Sequence, residues 1–120
     1  MVRIISKQPR TQRKIRYNAP LHQRGKFLCA PLDSNLQSQY KTRSVRLVKG
    51  DTVKVLRGDF HGDTGVVDGV DLKRSRILVH GVSVTKADGT EVPRPVDPSN
   101  VQVTKLNLKD KTRENRIRRA

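Results

Sequence analysis

The sequence predicts a mostly β protein: one small barrel of short strands, preceded by a long basic extension and followed by a short basic tail. Three observations carry this reading. From Gly50 onward, short valine-rich runs alternate with turn signals, and about five such strands in this length of chain close into only a small barrel. Charge is unevenly divided: residues 1–50 hold 12 Lys/Arg against one acid, residues 51–104 hold 7 against 8, and residues 105–120 hold 7 against 2. Finally, only 33% of the 120 residues are apolar and 3% aromatic, enough for one small core. The divisions expected are a basic extension over 1–44, the barrel over 45–106 and a tail, helical or solvated, over 107–120.

A net charge of +15 on so short a chain opposes compaction unless a polyanion relieves it. Nucleic acid is the first partner to consider and an anionic membrane surface the second. The near-neutral module between two basic ends is the pattern of a small domain with polyanion-binding extensions. One cysteine, Cys29, excludes an internal disulfide and a multi-cysteine zinc site. No secretory signal and no run of about 20 apolar residues is present, so no membrane span is expected and an intracellular protein is.

In chain order, residues 7–18 carry Lys7, Arg10, Arg13, Lys14, Arg16 and Tyr17 and almost no core-forming side chain. Pro9 suits the first turn of a short helix, which is too short and too charged to be stable alone in water. A disordered basic tail is the plainer reading for the free protein, with ordering on a polyanion. Ala19-Pro20-Leu21-His22 breaks that segment, and Arg24 and Lys26 continue its charge. Gly25 to Ala30 is the first apolar run, a strand or a docked extended piece, with Phe27 and Leu28 as anchors onto the barrel and Cys29 as a small buried hydrophobe. Asp33 or Ser34 caps a helix reaching about Tyr40, with Leu36 and Tyr40 on one face. Lys41, Arg43 and Arg46 then lead into the β module.

The module opens with Lys49 to Val70. Val53 and Val55 alternate with Thr52 and Lys54, the period of a half-buried strand. Gly58, Gly62 and Gly65 punctuate the turn and its return strand, where positive φ or a close backbone approach would demand glycine. Arg57 and His61 lie on that turn, and Lys73 and Arg74 on the next. Expected strands are Thr52–Leu56, Gly65–Val70, Arg76–His80, Ser83–Lys86 with Val92–Val96, and Val101–Leu106. Asp88-Gly89 marks a hairpin, and the broken alternation of Val66, Val67 and Val70 a bulge near Asp68-Gly69. Pro93, Pro95 and Pro98 imply an edge or loop. In the tail, Asp110 can cap a short helix that leaves Arg113, Arg116, Arg118 and Arg119 available to phosphates.

No catalytic constellation is found. His22, His61 and His80 lack partners at metal-ligand spacing. The glycines at 58, 62 and 65 precede a strand, whereas a phosphate loop must open a helix. No enzyme, cofactor or metal is expected.

The segment Lys49-Gly50-Asp51, its alternating valines, the basic-glycine turn and Gly65-Val66-Val67 resemble a KOW motif, about 49–76, in which Gly65 matches the family's characteristic glycine. That resemblance implies an SH3-like barrel. KOW motifs occur in ribosomal proteins and in transcription elongation factors. The latter usually carry an α/β domain before the motif, where this chain has a basic arm. Pro9-Arg10-Thr11-Gln12-Arg13-Lys14, Ala19-Pro20-Leu21-His22, Tyr40-Lys41-Thr42-Arg43-Ser44 and Pro98-Ser99-Asn100-Val101 are similar to the universal large-subunit ribosomal family of the KOW type, twenty-fourth in the universal series, in its archaeal/eukaryotic form. The resemblance implies direct binding to the 5′ region of large-subunit ribosomal RNA, an early part in subunit assembly, and a cytoplasmic location at the subunit's outer surface beside the exit tunnel. Neighbouring ribosomal proteins and nascent-chain factors at the tunnel exit are the further partners it implies. On this reading Lys and Arg displace counterions, while stacking by Tyr17 or by arginine planes adds selectivity.

Overall fold

The structure is a computed structural model and describes residues 6–119. The first helix, α1 (Pro9–Asn18), begins on Pro9, whose fixed φ suits a first turn and whose missing N–H is not needed there. It ends at Ala19, which precedes Pro20 and is therefore extended, with φ −61° and ψ 134°. A single helical turn, α2 (Leu21–Arg24), runs into a 3₁₀ turn over Gly25–Leu28. Strand β1 (Cys29–Pro31) and helix α3 (Ser34–Tyr40) follow. The Asp33 carboxylate caps α3 by accepting from the Ser34 N–H at 2.8 Å, and Lys41 stops it in the left-handed region at φ 54°. Strand β2 (Ser44–Arg46) returns antiparallel to β1.

The central layer is a four-stranded antiparallel sheet. Its strands are β3 (Thr52–Val55), β4 (Thr64–Asp71), β5 (Arg76–Val79) and β8 (Val101–Lys105), in the order β5-β4-β3-β8. Val53 lies opposite Gly65 on one side and Val103 on the other. Pairing of β4 with β5 slips between Val67 and Gly69, the bulge that the broken valine alternation predicts. Strands β6 (Ser83–Thr85) and β7 (Glu91–Pro93) form a separate hairpin, closed by Lys86 and Thr90 around Gly89 at φ 91°. Single bridges extend the sheet at both margins, Leu32 to Val103 and Ile77 to Val96. Helix α4 (Lys111–Arg119) completes the chain, the Asp110 side chain accepting from the Thr112 N–H at 3.0 Å. The result is a mixed α and β architecture. Among the described residues the ladders form three antiparallel sheets, not one hydrogen-bonded ring.

The core gathers Leu47, Val53, Val55, Val67, Ile77, Val79, Val82, Val101 and Val103 from the sheet and its connections. Leu28, Ala30 and Leu32 join them from the segment before the module, each fully buried. Ala30 and Leu32 alternate along the extended stretch that follows the 3₁₀ turn ending at Leu28, so period two turns Cys29, one residue before Ala30, outward. Cys29 is therefore exposed, which corrects its expected burial. The run from Gly25 is likewise not extended throughout: its first half is the 3₁₀ turn, which sinks Leu28 and leaves Phe27 half-buried.

A second 3₁₀ turn, Pro98–Asn100, leads into β8 and is held by Asp97. Its carboxylate accepts from the Ser99 N–H at 3.0 Å and the Ser99 hydroxyl at 2.8 Å, and meets Arg76 at 3.2 Å. Partial burial pushes the carboxyl up, but the Ser99 hydrogen bonds with the Arg76 and Arg16 charges outweigh it, leaving its pKa below the ordinary value. A depressed folded pKa adds stability that is present above the usual value of about 3.9 and is lost as pH falls through the folded value. Asp97→Asn is therefore expected to flatten stability against pH below about pH 4. Urea midpoints between acid and neutral pH measure it, and an unaltered acid limb contradicts the assignment.

Candidate nucleic-acid interface

Helix α1 has no buried residue, and Arg10, Arg13, Lys14, Arg16 and Tyr17 are all exposed along it. None of its cations meets a carboxylate within ion-pair distance among the described residues. An unpaired, solvated cation keeps its full attraction for a phosphate. Arg16 additionally lies over the Phe27 ring, 4.6 Å from its centroid, so its plane is held against the 3₁₀ turn. Lys7, His22 and Lys26 are exposed on either side.

The end of α1 is fastened by Arg24, and this departs from its expected role. The Arg24 guanidinium donates from Nε to the Ala19 carbonyl at 2.8 Å, from Nη2 to the Tyr17 carbonyl, and from Nη1 to the Lys73 carbonyl at 2.6 Å. Those bonds use Arg24 to tie α1 to the β4–β5 turn, where Lys73 and Arg74 are exposed. Arg74 donates its N–H to the Asp71 carboxylate at 3.2 Å, and Ser75 completes the turn at φ 56°. The structure thus brings α1 and Lys73-Arg74 together through the Arg24 side chain, which donates to main-chain carbonyls of both.

Lys41, Arg43 and Arg46 are exposed around β2. The Arg46 guanidinium lies over Gly25, where an added Cβ would come within 2.5 Å of it. On the β3–β4 turn, Arg57 and His61 are also exposed. Gly58 and Gly62 turn the backbone there with φ 102° and 89°, and the Gly62 N–H donates to the Val55 carbonyl at 2.7 Å. Gly65 does not have positive φ. It is needed for close approach, since a Cβ would lie 2.4 Å from the His80 carbonyl oxygen. The same turn carries Asp59, paired with Arg94 at 2.8 Å.

The tail separates Arg113 from Arg116. Arg113, expected on phosphate, turns inward and donates to both oxygens of the fully buried Asp51, at 2.7 and 2.6 Å. It also donates to the Asn107 and Arg46 carbonyls. Asp51 further accepts from the Val48 and Asn107 N–H groups at 3.0 and 2.8 Å. Arg116 is exposed on the rim of a groove of about 730 Å³ between β2 and α4, and Arg118 pairs with Glu114 at 2.9 Å. Asp51 and the bridging role of Arg24 escape sequence reasoning, for only the Lys-Gly-Asp opening hints at the former. No described helix is long and apolar enough to cross a membrane.

A small antiparallel β module carrying a solvent-exposed cationic helix and a clasped C-terminal helix defines a scaffold with cationic extensions. The family of eukaryotic ribosomal protein L26 and its archaeal counterpart matches residues 6–120. The chain belongs to that family: it is a ribosomal protein, not an enzyme, which sets aside the elongation-factor alternative. It is 73% identical to the large ribosomal subunit protein uL24 of Methanoculleus marisnigri over 98% of this chain and 97% of that one. Identity is 65% to the uL24 of Methanospirillum hungatei, over 98% of each chain. The uL24 of Korarchaeum cryptofilum is 51% identical over 98% of this chain and 90% of its own.

Proposed function

We propose that this protein is a structural constituent of the large ribosomal subunit that binds the 5′ region of large-subunit ribosomal RNA directly. On this reading it acts early in subunit assembly and lies at the outer surface near the polypeptide exit tunnel. Neighbouring ribosomal proteins and nascent-chain factors are its further partners there. The sheet with its KOW turn is the SH3-like barrel of the family, over 45–106, flanked by the RNA-binding extension, 1–44, and the basic tail, 107–120.

The observation that carries the reading is the contrast between the two kinds of cation. Arg76, Arg94 and Arg113 in or against the module are paired with Asp97, Asp59 and Asp51. Arg10, Arg13 and Lys14 on α1 have no described acidic partner, Arg16 feels the Asp97 charge without an ion-pair contact, and none of the four has a packing duty to the core. Lys7, Lys26, Lys41, Arg43, Arg46, Arg57, Lys73, Arg74 and Arg116 are further exposed cations, and Tyr17, His22 and His61 are exposed as well.

The test is filter binding of the full chain to transcripts of the 5′ and 3′ portions of large-subunit RNA, with competitor RNA present. The 5′ transcript is expected to bind at least roughly ten-fold more tightly. Equal affinity for both contradicts the placement.

A further inference from the structure

We infer that Tyr17 is a stacking platform for one unpaired RNA base, and that Arg24 is the positioning residue that sets it. The inference rests on the RNA-binding reading above and narrows its ligand to RNA with a bulged or looped base beside a helix. Residues 10, 13, 14 and 17 are spaced i, i+3, i+4 and i+7, so Arg10, Arg13, Lys14 and Tyr17 share one face of α1. Thr11 and Ile15, half-buried, share another. Tyr17 thus ends a row of cations on the outward face, and it is 72% exposed.

A single exposed tyrosine needs no explanation by itself. What distinguishes this one is the device beneath it. Arg24 grips the Tyr17 and Ala19 carbonyls with one side of its guanidinium and the Lys73 carbonyl with another. The backbone carrying the ring is therefore fixed against the Lys73-Arg74 turn before any ligand arrives. A base laid on Tyr17 lies at the end of the α1 cation row, beside the turn to which Arg24 ties the Tyr17 backbone. That turn carries the exposed Lys73 and Arg74, so cations are at hand for the flanking phosphates of the base. Little ordering is left for the moment of binding, which is what makes preorganised contacts strong. A continuous A-form duplex keeps its base faces stacked internally and has none to offer. An unpaired base does, and the sequence tolerance of stacking makes its identity secondary.

The experiment uses the full chain and two RNA hairpins, one fully paired and one with a single bulged 2-aminopurine. Binding is expected to quench the bulged fluorophore and to favour the bulged hairpin. Tyr17→Phe keeps both effects. Tyr17→Leu abolishes the quenching and weakens binding to the bulged hairpin roughly ten-fold, leaving affinity for the paired hairpin and the salt dependence unchanged. Arg24→Lys keeps the charge but cannot span three carbonyls, so quenching falls while the salt dependence stays. Quenching by Tyr17→Leu equal to that of the wild type, or equal wild-type affinity for the two hairpins, overturns the inference. Loss of salt-dependent RNA binding altogether in the wild type overturns instead the reading on which it rests.

Discussion

Asp51→Ala is expected to destabilise the protein by about 3–5 kcal/mol, the cost of stranding a buried charge without its partner. The Asp51 side chain is 0% exposed and that of Arg113 11%, so neither can turn to water for compensation. Their contact is bidentate, which adds geometric definition to charge. Two further donors, the Val48 and Asn107 N–H groups, lose their acceptor in the same substitution. Because Arg113 belongs to α4 and Asp51 to the approach to β3, the pair fastens the C-terminal helix onto the module. Chemical denaturation should show the loss, and amide exchange should show α4 opening first. Adding Arg113→Met to Asp51→Ala is expected to recover part of the stability, because the stranded charge is then gone. Purely additive losses in the double variant contradict the account.

Gly65→Ala is expected to cost about 3 kcal/mol, at the upper end for forced overpacking. The obstacle is main chain: a Cβ on Gly65 meets the His80 carbonyl oxygen at 2.4 Å and Val79 Cγ1 at 2.9 Å. Neither strand can yield without disturbing the ladder between β4 and β5. Gly58→Ala provides the contrast. Its φ is 102° but no atom beyond its own chain neighbours lies within 4 Å of the added Cβ, so it carries only the backbone penalty of about 1–2 kcal/mol. Thermal melts of the two variants separate a steric from a conformational requirement. A larger loss at Gly58 than at Gly65 reverses the assignment.

These two sites mark where sequence reasoning reaches its limit. Local patterns are legible. Valine alternation locates β3, a valine-rich run locates β8, Asp88-Gly89 locates the β6–β7 hairpin, Asp33 or Ser34 locates the start of α3, and the irregular valines locate the bulge. Each depends on neighbours in sequence. Asp51 and Arg113 are 62 residues apart, and nothing in the local texture of KGD or KTREN says that they meet. Arg24 reads as one more cation of the arm because its acceptors are carbonyls, which every residue has and no composition shows. Gly65 stands out in the sequence, but positive φ and close approach look alike until the opposite strand is in place. Cys29 misleads for a simpler reason: in a continuous apolar run, the strand period alone decides which residues face inward.

The same limit bears on the binding arm. The basic stretch is legible as a whole, yet Leu28, Ala30 and Leu32 within it are fully buried in the core. Deleting all of residues 1–44 would therefore remove core as well as charge. Neutralising α1 by substitution isolates the charge.

On the proposed function, unpaired cations of α1 supply much of the RNA affinity, with the near-neutral module as scaffold. The direct measurement is the slope of log K against log salt for a 5′-region transcript, in the wild type and in a variant with Arg10, Arg13, Lys14 and Arg16 changed to Gln. Neutralising about 8 phosphates predicts a wild-type slope of roughly −6 to −7, and the variant should be shallower by about 3. A variant slope within about 1 of the wild-type value contradicts the account, placing the phosphate contacts elsewhere on the protein.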